Sequence, residues 1–111
     1  MSAASEGDRW SPGTELFPLT VGRAVSRVRQ RNRSINAFIT TRLDEALADA
    51  ASRNTEPGAR SPLHGVPYGL KDEWETAALR TTAGSYRHRE RVPRESSPVH
   101  TVFESAGAVL L

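Results

Sequence analysis

At 111 residues, with 37% hydrophobic and 25% charged side chains, the chain has the length of one domain and an ordinary soluble composition. It contains no cysteine, which excludes a disulfide scaffold, a cysteine-ligated zinc site and a cysteine nucleophile. Net charge is +2 and the sequence pI is about 9.7, because fourteen of the fifteen basic residues are arginine; Lys71 is the one lysine.

Residues 1–17 are polar and aperiodic and read as a loose lead-in. No apolar stretch follows a basic start there, so no secretory signal is visible and a cytoplasmic location is expected. The longest apolar run, Ala106 to Leu111, is far too short to span a membrane.

The first predicted helix opens at a Thr20 cap and ends near Arg31 to Arg33. Val21, Ala24, Val25 and Val28 form its apolar stripe, and Arg23, Arg27 and Arg31 fall on another face. Ser34 to Thr41 can run extended. A second helix is predicted from Leu43 to about Arg53, with Leu43, Ala46, Leu47 and Ala50 inward and Asp44, Glu45 and Asp49 facing water. Glu56-Pro57-Gly58 breaks it. Val66, Tyr68 and Leu70 alternate as in a short strand, which Pro67 restricts to an edge or irregular position.

Residues 73–96 are polar and include a basic loop. Ser97 and Pro98 then signal a third helix, with Val99, Val102, Phe103 and Ala106 as its stripe and Gly107 as its stop. Ala108 to Leu111 reads as a buried strand. Nothing in the sequence is set to cover that strand or the inner helix faces, so the chain is expected to be cut and marginally stable. The order is helix, extended piece, helix, strand, helix, strand. This is α/β alternation, and the Pro98 helix can link two parallel strands of a larger sheet.

Lys71 follows the strand-like run Val66 to Leu70. Side chains at the carboxyl ends of strands in open α/β sheets commonly face a ligand crevice. In apolar surroundings an amine loses its charged form more readily and can serve as a general base. Gly65 and Gly69 would allow close backbone approach around it. A solvated lysine paired with a nearby carboxylate is the alternative.

Three histidines are present and have no metal-ligand spacing. His64 sits in the Pro-Leu-His-Gly turn and is expected to bond backbone. His88 lies in a solvated loop, and His100 falls off the third helix's stripe and reads as exposed. Ser85 is the best local candidate for a nucleophile, but no histidine or carboxylate is spaced to activate it, and a turn hydroxyl is the simpler role. Arg23, Arg27, Arg29, Arg31 and Arg33 form one basic cluster; Arg87, Arg89, Arg91 and Arg94 form another. Such patches can contact phosphates. Only Tyr86 supplies an aromatic there, and Glu90 and Glu95 dilute the second cluster, so solvated faces are the simpler reading. Asn32-Arg-Ser34 matches a glycosylation sequon, which carries no meaning in a chain without a signal peptide.

Pro62-Leu-His-Gly-Val-Pro-Tyr-Gly-Leu-Lys-Asp72 resembles the stretch around the catalytic lysine of the amidase signature family. The resemblance continues through Thr76 to Ser85, resumes from Pro98 to Leu111, and includes Ile35-Asn-Ala-Phe-Ile39 upstream. It implies an α/β fold, a mixed sheet with flanking helices, of which residues 18–111 would be an incomplete N-terminal part. It implies hydrolysis or transfer of amide nitrogen by a Ser–cis-Ser–Lys triad, with a small-molecule amide substrate and no metal or organic cofactor. Lys71 would be the catalytic base, and Asp72 its structural neighbour. Thr81, Thr82, Gly84 and Ser85 would form the loop nearby. Two positions depart from the family pattern, Ala78 where glycine is common and Ser96 where aspartate is common. The Gly- and Ser-rich segment that supplies the two serines is absent from the 111 residues. The chain alone is therefore expected to be inactive. A small basic adaptor contacting nucleic acid, or a remnant without function, is the alternative. The amide substrate, the choice between hydrolase and amidotransferase, and the oligomeric state cannot be read from these residues.

Overall fold

The computed structural model describes residues 17–58 and 60–111. The expected lead-in therefore lies, but for Phe17, outside the described residues. Helix α1 spans Phe17–Ile35 and α2 spans Leu43–Thr55. The first begins before Thr20, which therefore lies within the helix and not at its cap. Pro18 is in its first turn, where a missing backbone donor costs nothing. It also runs two residues past the expected end. Asn36 stops it with φ +53, the left-handed conformation that asparagine tolerates, and its N–H returns to the Asn32 carbonyl at 2.7 Å. Ser34 and Ile35 are thus helical, and the segment after them is an irregular connection and not an extended piece.

The two helices pack through small and β-branched residues. Val21 and Val25 of α1 and Ala46 and Ala50 of α2 are buried together, and Ala24, Val28, Leu43 and Leu47 border them. Asp44 is exposed and pairs with Arg29 across the helices at 2.7 Å. Asp49, expected to face water, is half-buried and holds Arg42 at 2.8 Å.

Strands β1 (Pro67–Tyr68) and β2 (Val109–Leu110) form a parallel pair, with α3 (Pro98–Ser105) between them in sequence. This is the predicted α/β connection. Val109 N–H donates to the Val66 carbonyl at 2.8 Å and Leu111 N–H to the Tyr68 carbonyl at 3.1 Å. These bonds use the carbonyls that flank Pro67, of Val66 and Tyr68, so Pro67 can sit in the strand without losing a needed donor. At the start of α3, Ser97 Oγ accepts from His100 N–H and Pro98 occupies the first turn; Gly107, at φ +83, ends it.

The terminal strand is covered, contrary to expectation. Val109 and Leu111 are buried in the same cluster as Val21, Val25, Ala46 and Ala50. Each such aliphatic side chain contributes about 1.5–3 kcal/mol on full burial. Arg42 fastens the strand as well: Nη1 donates to the Leu110 carbonyl at 2.8 Å and the backbone N–H to the Leu111 carbonyl at 3.3 Å. The α3 stripe is rotated from its predicted face. Val102 is 66% exposed and His100 is buried. The reason is a partner on another element: the His100 ring lies against Tyr68 of β1, whose own ring stacks on Phe103 at 5.0 Å.

Candidate functional site

The chain leaves β1 through Gly69 and Leu70 to Lys71, and it enters an open cleft of about 550 Å³ there. Leu70, Lys71 and Asp72 form one side. Phe38 and Thr40 from the α1–α2 connection, Trp74, Arg80 and Thr81 from the long loop, Leu110 of β2 and Leu111 after it are also among its lining.

The far wall is set by α1. Asn32 Oδ1 accepts from Phe38 N–H at 2.8 Å, and Asn32 Nδ2 donates to the Phe38 carbonyl at 3.1 Å. This places the Phe38 ring over Gly69, where a Cβ would lie 3.4 Å from two ring atoms. A methyl group there would touch the ring at van der Waals distance. Gly65 (φ +74) serves the turn and the strand pair instead, its N–H donating to the Gly107 carbonyl at 2.8 Å. Thr40 Oγ1 is buried without a hydrogen-bond partner among the described residues.

Asp72 organises the near wall. Its carboxylate accepts from Thr82 N–H at 3.1 Å and from the Thr82 hydroxyl, and its carbonyl accepts from Ala83 N–H at 2.8 Å. Thr82 Oγ1 in turn accepts from Gly84 N–H at 3.3 Å. Ala83 and Gly84 both have positive φ, +52 and +68, so the turn doubles back on Asp72. Ala83 and Gly84 line the cleft and Ser85 is not among the lining residues. Ser85 starts the 3-10 turn Tyr86–His88, its N–H held by the Thr82 carbonyl at 2.9 Å.

Lys71 itself is 76% exposed, with Nζ 3.4 Å from Glu73 Oε1. The described residues thus leave it exposed at the rim of the cleft beside a carboxylate.

A second polar centre lies behind the strand pair. Tyr68 Oη and His100 Nδ1 are 2.8 Å apart, and His100 Nε2 is 3.8 Å from Glu104 Oε2. Burial, and then the Glu104 charge, push the Tyr68 hydroxyl up to about 12, against the opposing pull of Arg42. The sequence offered one signal for this centre, the i, i+4 spacing of His100 and Glu104, and the apolar stripe masked it.

His64 bonds backbone as expected: Nε2 lies 2.8 Å from the Arg53 carbonyl. His88 is exposed. Among the described residues no group of three or more histidines and carboxylates is placed to hold a metal ion. In the basic loop Arg89 lies over the Tyr86 ring at 4.2 Å, and Arg91 pairs with Glu75.

The sequence profile of the Amidase family matches residues 20–111. The chain belongs to the amidase family. A glutamyl-tRNA(Gln) amidotransferase subunit of Geobacter sulfurreducens is 38% identical over 100 residues, which cover 87% of this chain and 21% of that protein. The protein of the same name from Rhodospirillum rubrum is 36% identical over 113 residues, covering all of this chain and 22% of the relative. The chain thus spans about a fifth of the length of these relatives. Among solved structures, a complex described as vestigial and as revealing the evolutionary origins of an s-triazine catabolic enzyme superposes with a TM-score of 0.79. It is 26% identical, and the match covers 86% of this chain and 22% of the other. An amidase family protein from Bacillus anthracis gives 0.77 at 20% identity, covering 86% and 20%, and shows the same fold. Ala78, one of the two departures, sits at φ +65, a conformation that glycine takes without strain and alanine does not. Ser96, the other departure, supplies one acceptor, its Oγ taking the Ala77 N–H at 2.9 Å. No helix among the described residues is long and apolar enough to cross a membrane.

Proposed function

We propose that this chain carries the lysine-bearing wall of an amide-cleaving site, and that Lys71 is its proton acceptor. The observation that carries this reading is the place of Lys71: just beyond a parallel strand, inside the family match, at the rim of the cleft of about 550 Å³. In this reading the substrate carboxamide lies in the cleft, and two serines outside these residues complete the relay. Lys71 draws a proton through the bridging serine, and the second serine attacks the carbonyl carbon. Asp72 and the Thr82–Gly84 turn hold the lysine's backbone in register. The 111 residues alone do not turn over an amide, because they hold neither of the serines nor the oxyanion donors. A cytoplasmic setting accords with this reading.

The names of the relatives favour nitrogen transfer within an assembly of several chains over free-standing hydrolysis. The test is a chimera in which this chain replaces the matching fifth of the Geobacter sulfurreducens relative. Amidotransferase activity that falls by about a thousandfold or more in Lys71→Met, on the scale typical of lost triad members, supports the reading. Full activity in that variant refutes it. In parallel, the unmodified chain is offered simple amides beside Lys71→Ala. Turnover that needs Lys71 would show a nucleophile within these residues, with Ser85 the first to replace.

A further inference from the structure

The long loop carries five arginines and one carboxylate, Glu90, between Arg80 and Arg94. The fold brings several of them to one corner. Thr81 N–H donates to the Arg91 carbonyl at 2.9 Å and Ala78 N–H to the Pro93 carbonyl at 3.3 Å, so the two ends of this stretch run side by side. Arg80 Nη1 donates to the Arg89 carbonyl at 3.4 Å. Arg89 crosses the Tyr86 ring at 4.2 Å, with its Nη1 donating to the Tyr86 carbonyl at 3.1 Å. Among the described residues Arg91 is held by Glu75, whereas Arg80, Arg87 and Arg89 meet no carboxylate and Glu90 meets no base. The dilution by Glu90 is thus one of net charge, and it leaves these guanidinium groups open. Tyr86 is 79% exposed, so with Arg89 on one face of its ring the other face is left to solvent.

We propose that this corner binds single-stranded nucleic acid, with one base stacked on the open face of Tyr86 and the neighbouring phosphates on Arg80, Arg87 and Arg89. A free aromatic face beside unpaired guanidinium groups is the arrangement that an unpaired base and its backbone recognise. The Arg89 contact keeps ring and cation together, so base and phosphate meet one preformed pair. An acidic peptide would use the guanidinium groups and leave the ring face in water, and a duplex has no free base to lay on it. Arg80 also lines the cleft beside Lys71, whereas Tyr86, Arg87 and Arg89 do not. The test therefore rests on those three, and the proposal stands whether or not Lys71 is a catalytic residue.

The experiment measures fluorescence anisotropy of a labelled oligouridylate of about twelve nucleotides, titrated with the full chain at stepped salt. Saturable binding is expected, with a slope of log affinity against log salt of about −2, as three phosphate contacts imply. Tyr86→Ala should weaken binding at least about fivefold with the slope unchanged, and Tyr86→Trp should retain it. Arg87→Gln with Arg89→Gln should weaken binding and bring the slope to about −0.7. Arg31→Gln, on α1, should leave both unchanged. All these positions are exposed, so circular dichroism and the melting temperature of the variants should match the parent. No saturable binding at low salt, parental affinity in Tyr86→Ala, or equal binding of a duplex of the same length would overturn the proposal. A loss in Arg31→Gln as large as in the loop variants would overturn it and move the contact to α1. Tighter binding of polyglutamate than of the oligonucleotide would overturn it and assign the surface to an acidic protein.

Discussion

Asn32 holds Phe38 by both ends of its carboxamide, accepting from its N–H at 2.8 Å and donating to its carbonyl at 3.1 Å. The pair imitates a strand bond within an irregular connection, and it holds Phe38, which lines the same cleft as Lys71. Asn32→Leu keeps the volume and removes both bonds, leaving two half-buried backbone groups without partners. We expect a loss of about 1–3 kcal/mol. Asn32→Asp keeps the acceptor and should lose less. Urea midpoints at constant m-value measure both.

Two glycines of similar φ should respond differently to a methyl group. At Gly107 (φ +83) a Cβ would lie 2.5 Å from His64 Nδ1; at Gly84 (φ +68) it would meet nothing within 4 Å. Gly84→Ala should cost only the left-handed strain, about 1–2 kcal/mol. Gly107→Ala should cost clearly more, and His64→Ala in the same chain should recover only the excess. Thermal melts of the three variants decide it.

Ala78 sits at φ +65. Ala78→Gly relieves about 1–2 kcal/mol of strain and gives back part of it, about 0.5–1 kcal/mol, as added freedom of the unfolded chain. A small net gain is expected, seen as a rise of a few degrees in melting temperature. A fall would mean that the Ala78 methyl makes a contact worth more than the strain.

Tyr68 links stability to alkaline pH. Its hydroxyl is pushed up to about 12 from an ordinary 10, chiefly by burial. Above pH 10 the unfolded chain releases this proton and the folded chain keeps it. The contribution is therefore complete below pH 10 and declines as pH rises toward 12. Tyr68→Phe should flatten that part of the stability profile, measured by urea unfolding at stepped pH, while lowering stability at neutral pH through the lost His100 bond.

Lys71→Met should leave folding nearly unchanged, within about 0.5 kcal/mol, because its side chain faces solvent and its ion pair with Glu73 is exposed. A large loss of stability would show that Lys71 has a structural role and would undercut any activity comparison made with it.

The three helices, the two strands and their order were legible because apolar spacing and caps are local signals. Ser97, Pro98 and Gly107 mark α3 almost residue by residue. The spacing did not carry rotation about the helix axis. Val102 and His100 exchange roles because Tyr68, thirty-two residues away, offers His100 a hydrogen bond. Lys71 could be singled out as the one lysine at a strand end inside a motif. Its exposure could not be read, since it depends on what lies across the cleft. Asn32 read only as a sequon residue, because its partner Phe38 sits beyond the turn that Asn36 makes. The cover over β2 was missed for a similar reason: pattern shows which residues want burial, not which distant helices meet them.

Val109 and Leu111 close the seam of α1 and α2 from more than eighty positions beyond Val21 and Val25 and from about sixty beyond Ala46 and Ala50. Contacts so distant in sequence form more slowly than those within a helical hairpin. Until then the seam is a surface for a chaperone to shield.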